Sequence, residues 1–266
     1  MRPVLRYHGG KWLLAPWIIS HFPPHRIYVE PFGGAASVLL RKAPCYAEVY
    51  NDLDGEVVNV FRVLRETPDA LIRALELTPF ARDEFVESYK PSNNPVEQAR
   101  RTIVRSHMGF GSNSHNNKTG FRSNATRRGT TPAHDWANLP AALTEVLARL
   151  RGVVIENRDA MSVMSVNDGA DTLHYCDPPY LSATRDKGDD YRHELSDAEH
   201  IRLLAFLCNL KGHVILSGYP APVYDEMLPG WERIDRAAMA DGARARIECL
   251  WLSPSVQRCG QGRLVL

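Results

Sequence analysis

A segment rich in hydrogen-bond acceptors follows a short apolar run in the second half of the chain. Residues 172–176 have the composition of a buried strand, and Asp177-Pro178-Pro179-Tyr180 comes directly after them. The prolines fix φ and remove two amide donors, so the Asp177 carboxylate and a neighbouring carbonyl can both accept from one amino group. Tyr180 offers a flat face to a base. A bare Pro-Pro-Tyr is typical of a strand end beside a buried tyrosine, but the preceding acid and strand favour a site that binds an amino group.

A glycine-rich turn and a later acid form the second candidate site. The segment EPFGGAA begins at Glu30 and places Phe32, Gly33 and Gly34 between a predicted strand and a predicted helix. Such a turn lets a ligand approach the backbone closely, and Asp52 lies at roughly the 20-residue spacing of an acid that accepts hydrogen bonds from a ribose diol. The phosphate-binding patterns G-x-G-x-x-G and G-K-[ST] are absent. The turn predicts a nucleoside ligand without a polyphosphate, although a glycine pair after a strand also occurs for structural reasons alone.

A second glycine pair lies near the beginning of the chain. Tyr7 and Lys11 flank this pair, and the apolar run at residues 12–22 predicts a helix that begins after the lysine. A ligand-binding segment and a plain helix start with a solvated lysine are both compatible with this pattern.

A basic window covers residues 98–134. It contains no Asp or Glu. Its seven cationic residues are Arg100, Arg101, Arg105, Lys118, Arg122, Arg127 and Arg128. Amide side chains are interleaved with them, among them Asn113, Asn117 and Asn124. Cations can bind phosphates and amides can bind base edges, so the window predicts contact with nucleic acid; a solvated basic loop is the alternative. We expect Arg100 and Arg101, on a helical segment, to contact phosphate, and Arg122 to read a base.

These residues require a framework that brings them together. The predicted strands lie at residues 26–30, 45–50, 153–155, 172–176 and 213–216, with a closing pair at 231–235 and 247–252. The predicted helices lie at residues 35–42, 56–65, 68–77, 141–150 and 196–210. Strands that alternate with helices indicate a parallel sheet covered by helices, and residues 67–150 read as a mostly helical insertion. In the last predicted helix, Ser196 is the expected N-cap, and Ile201, Leu204, Ala205 and Leu207 are expected to be buried.

Composition excludes several classes of protein. The chain has 266 residues, of which 44% are hydrophobic, and a net charge of +1, so it is neither a uniformly basic nor an acidic protein. Its five cysteines form no C-x-x-C pair, which disfavours a zinc site and a disulfide framework, and we expect no metal. No apolar run reaches the roughly 20 residues that cross a bilayer. Without a signal-type N-terminus, we expect a cytoplasmic protein of bacterial or phage origin with no membrane partner.

The motifs together resemble the Dam-like (D12 class) DNA adenine N6-methyltransferases. That family has a Gly-Gly-Lys segment, a Phe-x-Gly-x-Gly motif, a target-recognition domain and Asp-Pro-Pro-Tyr in this order, and all four occur here in order. The resemblance implies an α/β fold: a Rossmann-like S-adenosylmethionine-dependent methyltransferase sheet with an inserted, mostly helical target-recognition domain. We expect residues 1–60 and 151–266 to form the catalytic domain and residues 61–150 the insertion. One departure is Ala36, which replaces the second glycine and is expected to weaken the cofactor site slightly.

The resemblance also implies roles for individual residues. Those expected to bind the cofactor are Tyr7, Lys11, Glu30, Phe32, Gly33, Gly34, Asp52, Asp159 and Asp177, with Asp52 on the ribose and Asp159 on the adenine. The catalytic residues are expected to be Asp177, Pro178, Pro179 and Tyr180. The residues expected to contact DNA are Arg100, Arg101, Asn113, Asn117, Lys118, Arg122 and Asn124, and residues 109–124 resemble the family's DNA-contacting hairpin.

The predicted activity is transfer of a methyl group from S-adenosylmethionine to N6 of an adenine flipped out of double-stranded DNA. A conjugated exocyclic amine is a poor nucleophile, so acceptors at Asp177 and Pro178 would orient its lone pair, and no metal or covalent intermediate is required. An RNA or protein-glutamine methyltransferase could use the same Asp-Pro-Pro-Tyr loop, and a catalytically inactive DNA-binding module is a further alternative. The recognition sequence, and whether a restriction endonuclease accompanies the protein, stay open at this point.

Overall fold

A seven-stranded mixed sheet forms the centre of the protein. The computed structural model describes residues 1–111, 118–123, 129–184, 191–240 and 244–261. The strands are β1 Ile27–Glu30, β2 Ala47–Asn51, β3 Val153–Glu156, β4 Thr172–Cys176, β5 His213–Gly218, β6 Glu232–Ala240 and β7 Arg244–Leu252. Their order across the sheet is β3-β2-β1-β4-β5-β7-β6. The first five strands are parallel and β7 is antiparallel to both of its neighbours, which confirms the predicted sheet and its closing pair.

Helices cover both faces of this sheet. They are α1 Ala15–Ser20, α2 Ser37–Arg41, α3 Gly55–Glu66, α4 Pro68–Glu76, α5 Arg82–Glu87, α6 Pro95–Met108, α7 Pro132–Ala137, α8 Leu139–Leu150, α9 Ala160–Asn167, α10 Asp197–Leu207, α11 Pro222–Met227 and α12 Pro254–Gln261. One apolar cluster joins α1, α3, α4 and α8 to the sheet face that carries Tyr28, Tyr50 and Tyr175. A second cluster joins α9, α10 and α11 to the other face around Leu216 and Trp251. The core therefore lies on both sides of a buried sheet, as parallel strands require.

Two helix predictions need correction. The first helix is shorter than the predicted range 12–22, because Pro16 occupies its first turn and α1 begins at Ala15. In α10, the Ser196 cap is confirmed. However, the predicted buried residue Ile201 is 45% exposed, and Ala205 is exposed as well. The buried residues are His200, Leu203, Leu204 and Leu207, so the prediction is confirmed for Leu204 and Leu207. His200 and Leu203 were missed because Ile201 and Ala205 were assigned to the buried face in their place.

The helical region between β2 and β3 packs directly on the sheet. Helix α3 crosses the expected boundary between residues 60 and 61, and Phe61 of α3 lies 4.9 Å from Tyr50 of β2, measured between ring centres. Helix α6 packs against α3, and the Arg105 guanidinium of α6 forms an ion pair with Glu56 of α3. The helices thus share one apolar core with the sheet.

The described residues contain neither a membrane-spanning helix nor a cluster of metal ligands. In those parts of the chain, no helix combines the length and apolar character that crossing a membrane requires. Across the same ranges, no group of three or more His, Cys, Asp or Glu side chains is placed to hold a metal ion.

Candidate active site at the carboxyl edge of the sheet

A deep pocket opens where β1, β2 and β4 end. Because these strands are parallel, their carboxyl ends meet at one edge of the sheet, where ligands bind in this class of fold. The pocket contains about 1290 Å³ of space, including its open mouth. Every residue expected to bind the cofactor lines it: Tyr7, Lys11, Glu30, Phe32, Gly33, Gly34, Asp52, Asp159 and Asp177. The structure thus brings together segments that lie far apart in the sequence.

The glycine turn after β1 is shaped by close contacts with β2. The Gly33 amide donates to the Asn51 carbonyl at 2.8 Å, and a Cβ atom on Gly33 would overlap the ring of Tyr50. Gly34 has a φ of +48°, and a Cβ atom there would lie 2.9 Å from the ring of Tyr7. These positions require glycine, and the bare backbone that results forms one wall of the pocket.

Ala36 adopts a conformation that usually belongs to glycine. Its φ of 54° is the one positive value at a non-glycine position in the described residues. The residue is fully buried in the apolar core, and it is not among the residues that line the pocket. Its methyl group therefore packs in the core, and this geometry offers no support for the expected weakening of the cofactor site.

Two acids of the pocket have perturbed protonation. Asp52 accepts the Gly34 amide through Oδ2 and the Asp54 amide through Oδ1, each at 2.8 Å. Burial nonetheless raises the pKa of Asp52 to about 6, against the opposing effect of these amides. At the end of β1, Oε2 of Glu30 accepts from the Tyr28 hydroxyl at 2.6 Å and from the Leu39 amide at 2.8 Å. Burial raises the pKa of Glu30 to about 8, so this side chain is largely protonated at neutral pH.

A buried lysine connects the first segment to the Asp-Pro-Pro-Tyr loop. Nζ of Lys11 lies 2.9 Å from Oδ1 of Asp177 and 3.4 Å from Oε1 of Glu248, and it lies 4.7 Å from the centre of the Tyr180 ring. Burial alone would lower the pKa of Lys11, but the two carboxylates outweigh it and raise the pKa above its ordinary value. Lys11 is thus a fixed cation rather than the solvated lysine of the alternative interpretation.

Asp177 is held through one of its two oxygens. Oδ1 accepts from the Ser217 hydroxyl at 2.8 Å as well as from Lys11, and Ser217 is in turn 3.1 Å from the Tyr175 hydroxyl. Among the described residues, Oδ2 has no hydrogen-bond partner, and the side chain retains 17% exposure at the pocket. The arrangement fixes the carboxylate and leaves one acceptor oxygen available to a ligand.

The rest of the Asp-Pro-Pro-Tyr loop divides between the pocket and the core. Pro179 lines the pocket, whereas Pro178 and Tyr180 are buried and are not among its lining residues. The Tyr180 hydroxyl donates to Glu248, and its ring lies 4.6 Å from that of Tyr219 in an edge-to-face arrangement. In this conformation Tyr180 supports Lys11 from one side.

Several residues of the site were not identified from the sequence. Ser217 is the second-to-last residue of β5 and Glu248 lies on β7, and both reach the site only through strand pairing. Glu248 is two residues before the buried Leu250, and alternate residues of a strand share one face, so both lie on the inward side of β7. A charged residue on the buried face of a predicted strand is the sequence signal that could have identified Glu248. Residues 191–195 also line the pocket, and Arg192 forms ion pairs of 3.2 Å with Asp54 and with Glu56.

Asp159 has a structural role in addition to lining the pocket. Its side chain caps α9: Oδ2 accepts from the Ser162 amide at 2.8 Å and from the Ser162 hydroxyl at 2.9 Å. The expected contact of this carboxylate with the cofactor's adenine would use its remaining lone pairs.

The residues expected to contact DNA differ in their surroundings. Arg100 and Arg101 on α6 are both paired with Glu97, each at 2.7 Å, so acids already compensate their charges. Arg122 lies 3.8 Å from Asp135, and Lys118 is exposed. Asn113, Asn117 and Asn124 lie outside the described residues.

The expected hairpin at residues 109–124 is closed at its base. Gly109 and Phe121 form an antiparallel bridge, and the Phe110 amide donates to the Gly120 carbonyl at 2.8 Å. Phe110 is 73% exposed beside this bridge.

Comparison with known proteins identifies the family. The family model for the D12 class N6 adenine-specific DNA methyltransferases matches residues 7–230, which include the glycine turn and the Asp-Pro-Pro-Tyr loop. The chain belongs to this family. This membership confirms the resemblance found in the sequence, and it makes the protein an enzyme of DNA adenine methylation rather than an RNA or protein methyltransferase. Glu248 of this methyltransferase lies beyond the matched residues.

Individual relatives agree with the family. The methyltransferase is similar to the Type II methyltransferase M1.LlaDCHI of Lactococcus lactis subsp. cremoris, with 27% identity over 251 residues that cover 85% of this chain and 84% of that protein. It is also similar to the DNA adenine methylase of Serratia marcescens, with 28% identity over 197 residues and 69% coverage of each chain. The DNA adenine methylase of Escherichia coli (strain K12) is 25% identical over 198 residues, which cover 69% of this chain and 67% of that protein.

Proposed function

We propose that the pocket binds S-adenosylmethionine and that the enzyme methylates N6 of an adenine flipped out of double-stranded DNA. The observation that carries the proposal is Asp177, whose Oδ1 is fixed by Ser217 and Lys11 while Oδ2 is left to accept from an amino group. When bound, the cofactor supplies an electrophilic methyl group next to this carboxylate. A carboxylate oriented in advance needs no reorganisation during the reaction, which is the main source of catalysis by positioned polar groups.

The residues present fit this cofactor. Gly33 and Gly34 line the pocket with backbone alone, so a nucleoside can lie against this wall. Asp52, at the end of β2, accepts from the ribose hydroxyls through the lone pairs that its two amide partners leave unused. Phe32 supplies an apolar surface at the same wall. Tyr7 and Lys11, which also line the pocket, would then lie near the cofactor's methionine portion.

The chain's own residues orient the target amine. Oδ2 of Asp177 accepts a hydrogen bond from N6 and so holds the proton that the nitrogen gives up as its bond to the methyl carbon forms. A second hydrogen bond, to the carbonyl of Pro178, would help to aim the lone pair of N6 and stays a prediction, because Pro178 is buried and does not line the pocket. Lys11 holds the Asp177 carboxylate in place through its ion pair with Oδ1. Stacking of the flipped adenine on Tyr180 stays a prediction, because the ring is buried and carries Lys11 on one side.

Replacement of Asp177 tests the proposal. Asp177→Ala should lower single-turnover methyl transfer to a DNA duplex by several orders of magnitude and change the dissociation constant of S-adenosylmethionine much less. Asp171→Ala, an exposed acid just before the same strand, is the matched control and should keep wild-type turnover. Near wild-type turnover of the Asp177 variant would show that the acceptor is not needed and would overturn the mechanism.

We also propose that residues 61–150 recognise the target sequence. Arg122, in the closed hairpin, is the candidate for base readout, and Lys118 is an exposed cation of the same segment. Arg122→Ala should cost about 1–3 kcal/mol of binding on the cognate site and relax the sequence preference. Lys118→Ala removes an exposed cation of the same segment and should weaken binding to cognate and random DNA alike, whereas Arg101, already paired with Glu97, is no longer the better candidate for a phosphate contact. Equal losses on both duplexes for the Arg122 variant would contradict its assignment.

A further inference from the structure

The hairpin formed by β6 and β7 rises beyond the edge of the sheet at which the pocket opens. Strand β5 ends at Gly218, which pairs with Cys249, and β7 pairs with β5 only from Cys249 to Leu252. The pairing of β6 with β7 continues from there as far as Ala240 and Arg244. The upper half of the hairpin therefore projects past the carboxyl end of β5, beside the pocket.

One face of this hairpin points to the active site. Glu248 identifies that face, because its side chain meets both Tyr180 and Lys11. Side chains alternate along a strand, so Arg246 shares the face with Glu248, and Arg236 shares it as the cross-strand partner of Glu248. We call the side chains of Arg236 and Arg246 on this side the arginine face.

Aromatic rings hold both guanidinium groups of the arginine face. The guanidinium of Arg246 lies 5.6 Å from the ring centre of Tyr219, whose ring in turn lies 4.6 Å from that of Tyr180. The guanidinium of Arg236 lies 5.4 Å from the ring centre of Trp17. A guanidinium on an aromatic ring keeps its N–H donors directed outward along its edge, where they match a phosphate.

The charges around the hairpin differ between its two faces. On the opposite face, Arg233 is 2.8 Å from Asp235 and 3.5 Å from Asp225, so acids compensate its charge. On the arginine face, the acid at the same level is Glu248, which is buried and already bound by Lys11 and Tyr180. Among the described residues of this face, the exposed acid is Glu232, which pairs with Leu252 at the end of β6 away from the projecting part, four residues before Arg236. A phosphate beside the projecting part of the hairpin therefore meets Arg236 and Arg246 before it meets Glu232.

We propose that the arginine face binds the sugar–phosphate backbone of the DNA strand that carries the target adenine. The inference rests on the proposed function, because an adenine that enters the pocket from above brings its own phosphates alongside the projecting hairpin. The contact is to phosphate and is independent of sequence. The hairpin also lies beyond residues 7–230, which the family model matches, so family membership does not supply this role.

The first test measures how salt affects binding to a duplex that the enzyme methylates. The sequence of that duplex is identified beforehand by sequencing DNA from a methylation-free host that expresses the protein. Arg236→Gln and Arg246→Gln should each weaken binding to the duplex with the methylated site and to a scrambled duplex by the same factor. Each lost phosphate contact should make the slope of log K against log salt less steep by about 0.9. The fold loss of affinity between 50 and 200 mM salt should then be about 3.5 times smaller for the variant than for the wild-type enzyme. Arg233→Gln, on the opposite face, is the control and should keep the wild-type slope.

The second test identifies the strand. Neutral methylphosphonate groups beside the target adenine should weaken binding of the wild-type enzyme and have little further effect on the Arg236→Gln, Arg246→Gln double variant. The same groups on the opposite strand should weaken both proteins equally.

Two outcomes would overturn the inference: an unchanged salt slope in both arginine variants, or equal sensitivity of the wild-type and double-variant proteins to methylphosphonates on the target strand. Equilibrium binding needs no turnover, so this result is separate from the Asp177 experiment. An unchanged slope with an inactive Asp177→Ala enzyme refutes the hairpin role alone, whereas an active Asp177→Ala enzyme refutes the proposed mechanism alone.

Discussion

Removal of the Tyr180 hydroxyl has an effect that the sequence alone did not suggest. The sequence assigned a role only to the ring, but the structure shows that the hydroxyl donates to Glu248, a carboxylate that is 5% exposed. In Tyr180→Phe, that carboxylate keeps Lys11 at 3.4 Å as its partner and loses the hydroxyl. A hydrogen bond to a charged group contributes about 1.5–3 kcal/mol, so we expect Tyr180→Phe to lower the free energy of unfolding by about that amount. For a chain of this size, that corresponds to a fall in Tm of roughly 3–12 °C.

A double-mutant cycle isolates the hydroxyl–carboxylate contact. Glu248→Gln retains an acceptor of similar shape but removes the charge, so the double variant with Tyr180→Phe should lose less than the sum of the single losses, with a coupling of about 1–2 kcal/mol. Denaturant unfolding of the four proteins measures it. Glu48→Gln is a matched control, since Glu48 is also a buried carboxylate beside a lysine, Lys42. It lies four strand spacings from β7, about 19 Å, and should be additive with Tyr180→Phe.

The same variants separate the hydroxyl from the ring in catalysis. If the ring stacks on the flipped base, single-turnover methyl transfer by Tyr180→Phe should exceed that of Tyr180→Ala, and 2-aminopurine at the target position should still become fluorescent with the Phe variant. Additive unfolding losses for Tyr180→Phe and Glu248→Gln would refute the reasoning about the contact. Equal loss of activity in the Phe and Ala variants would refute the stacking role.

Three further predictions concern the pocket. Gly33→Ala should lower stability by about 1–3 kcal/mol, because its Cβ would overlap the buried Tyr50 ring, whereas Gly169→Ala, which meets its nearest side-chain atom at 3.7 Å, should be tolerated; equal urea midpoints would contradict this. Burial raises the pKa of Asp52 to about 6, so the carboxylate becomes protonated below that pH. The dissociation constant of S-adenosylmethionine should then rise with falling pH, approaching about a tenfold increase per pH unit, and calorimetry should show no such trend for Asp52→Asn. Glu30, with a pKa raised from 4.5 to about 8, holds a proton that the unfolded chain has lost, so its contribution to stability falls as the pH rises between these values. The free energy of unfolding of Glu30→Gln, measured relative to wild type, should therefore increase by up to roughly 1.4 kcal/mol per pH unit in that range. A difference that does not change with pH would exclude a protonated Glu30 in the folded protein.

The sequence predicted the parts of the site that depend on local patterns. The glycine turn, Asp52 and Asp177 each lie directly after an apolar strand, and parallel pairing necessarily brings strand ends to one edge. Ser217 and Glu248 were missed because Ser217 reaches Asp177 through the pairing of β5 with β4, and Glu248 reaches the site through the pairing of β7 with β5. A local pattern can mark Glu248 as a charge in a buried strand, but it does not give the register that places either residue at the site. The ion pairs of Arg100 and Arg101 were not predicted because their shared acidic partner, Glu97, lies one residue before the basic window.

The place of β7 in the chain has a consequence for biosynthesis. The strand that carries Glu248 is synthesised after the other six described strands, yet it lies between β5 and β6 in the finished sheet. While a nascent chain is still shorter than about 244 residues, β5 has an unpaired edge that can recruit other strands. Over the same interval the Asp-Pro-Pro-Tyr loop has already been made but lacks the carboxylate that binds its tyrosine. Assembly of the proposed catalytic centre is thereby delayed until β7 has been synthesised, and a chain truncated before β7 would be prone to aggregate rather than persist as a partly active enzyme.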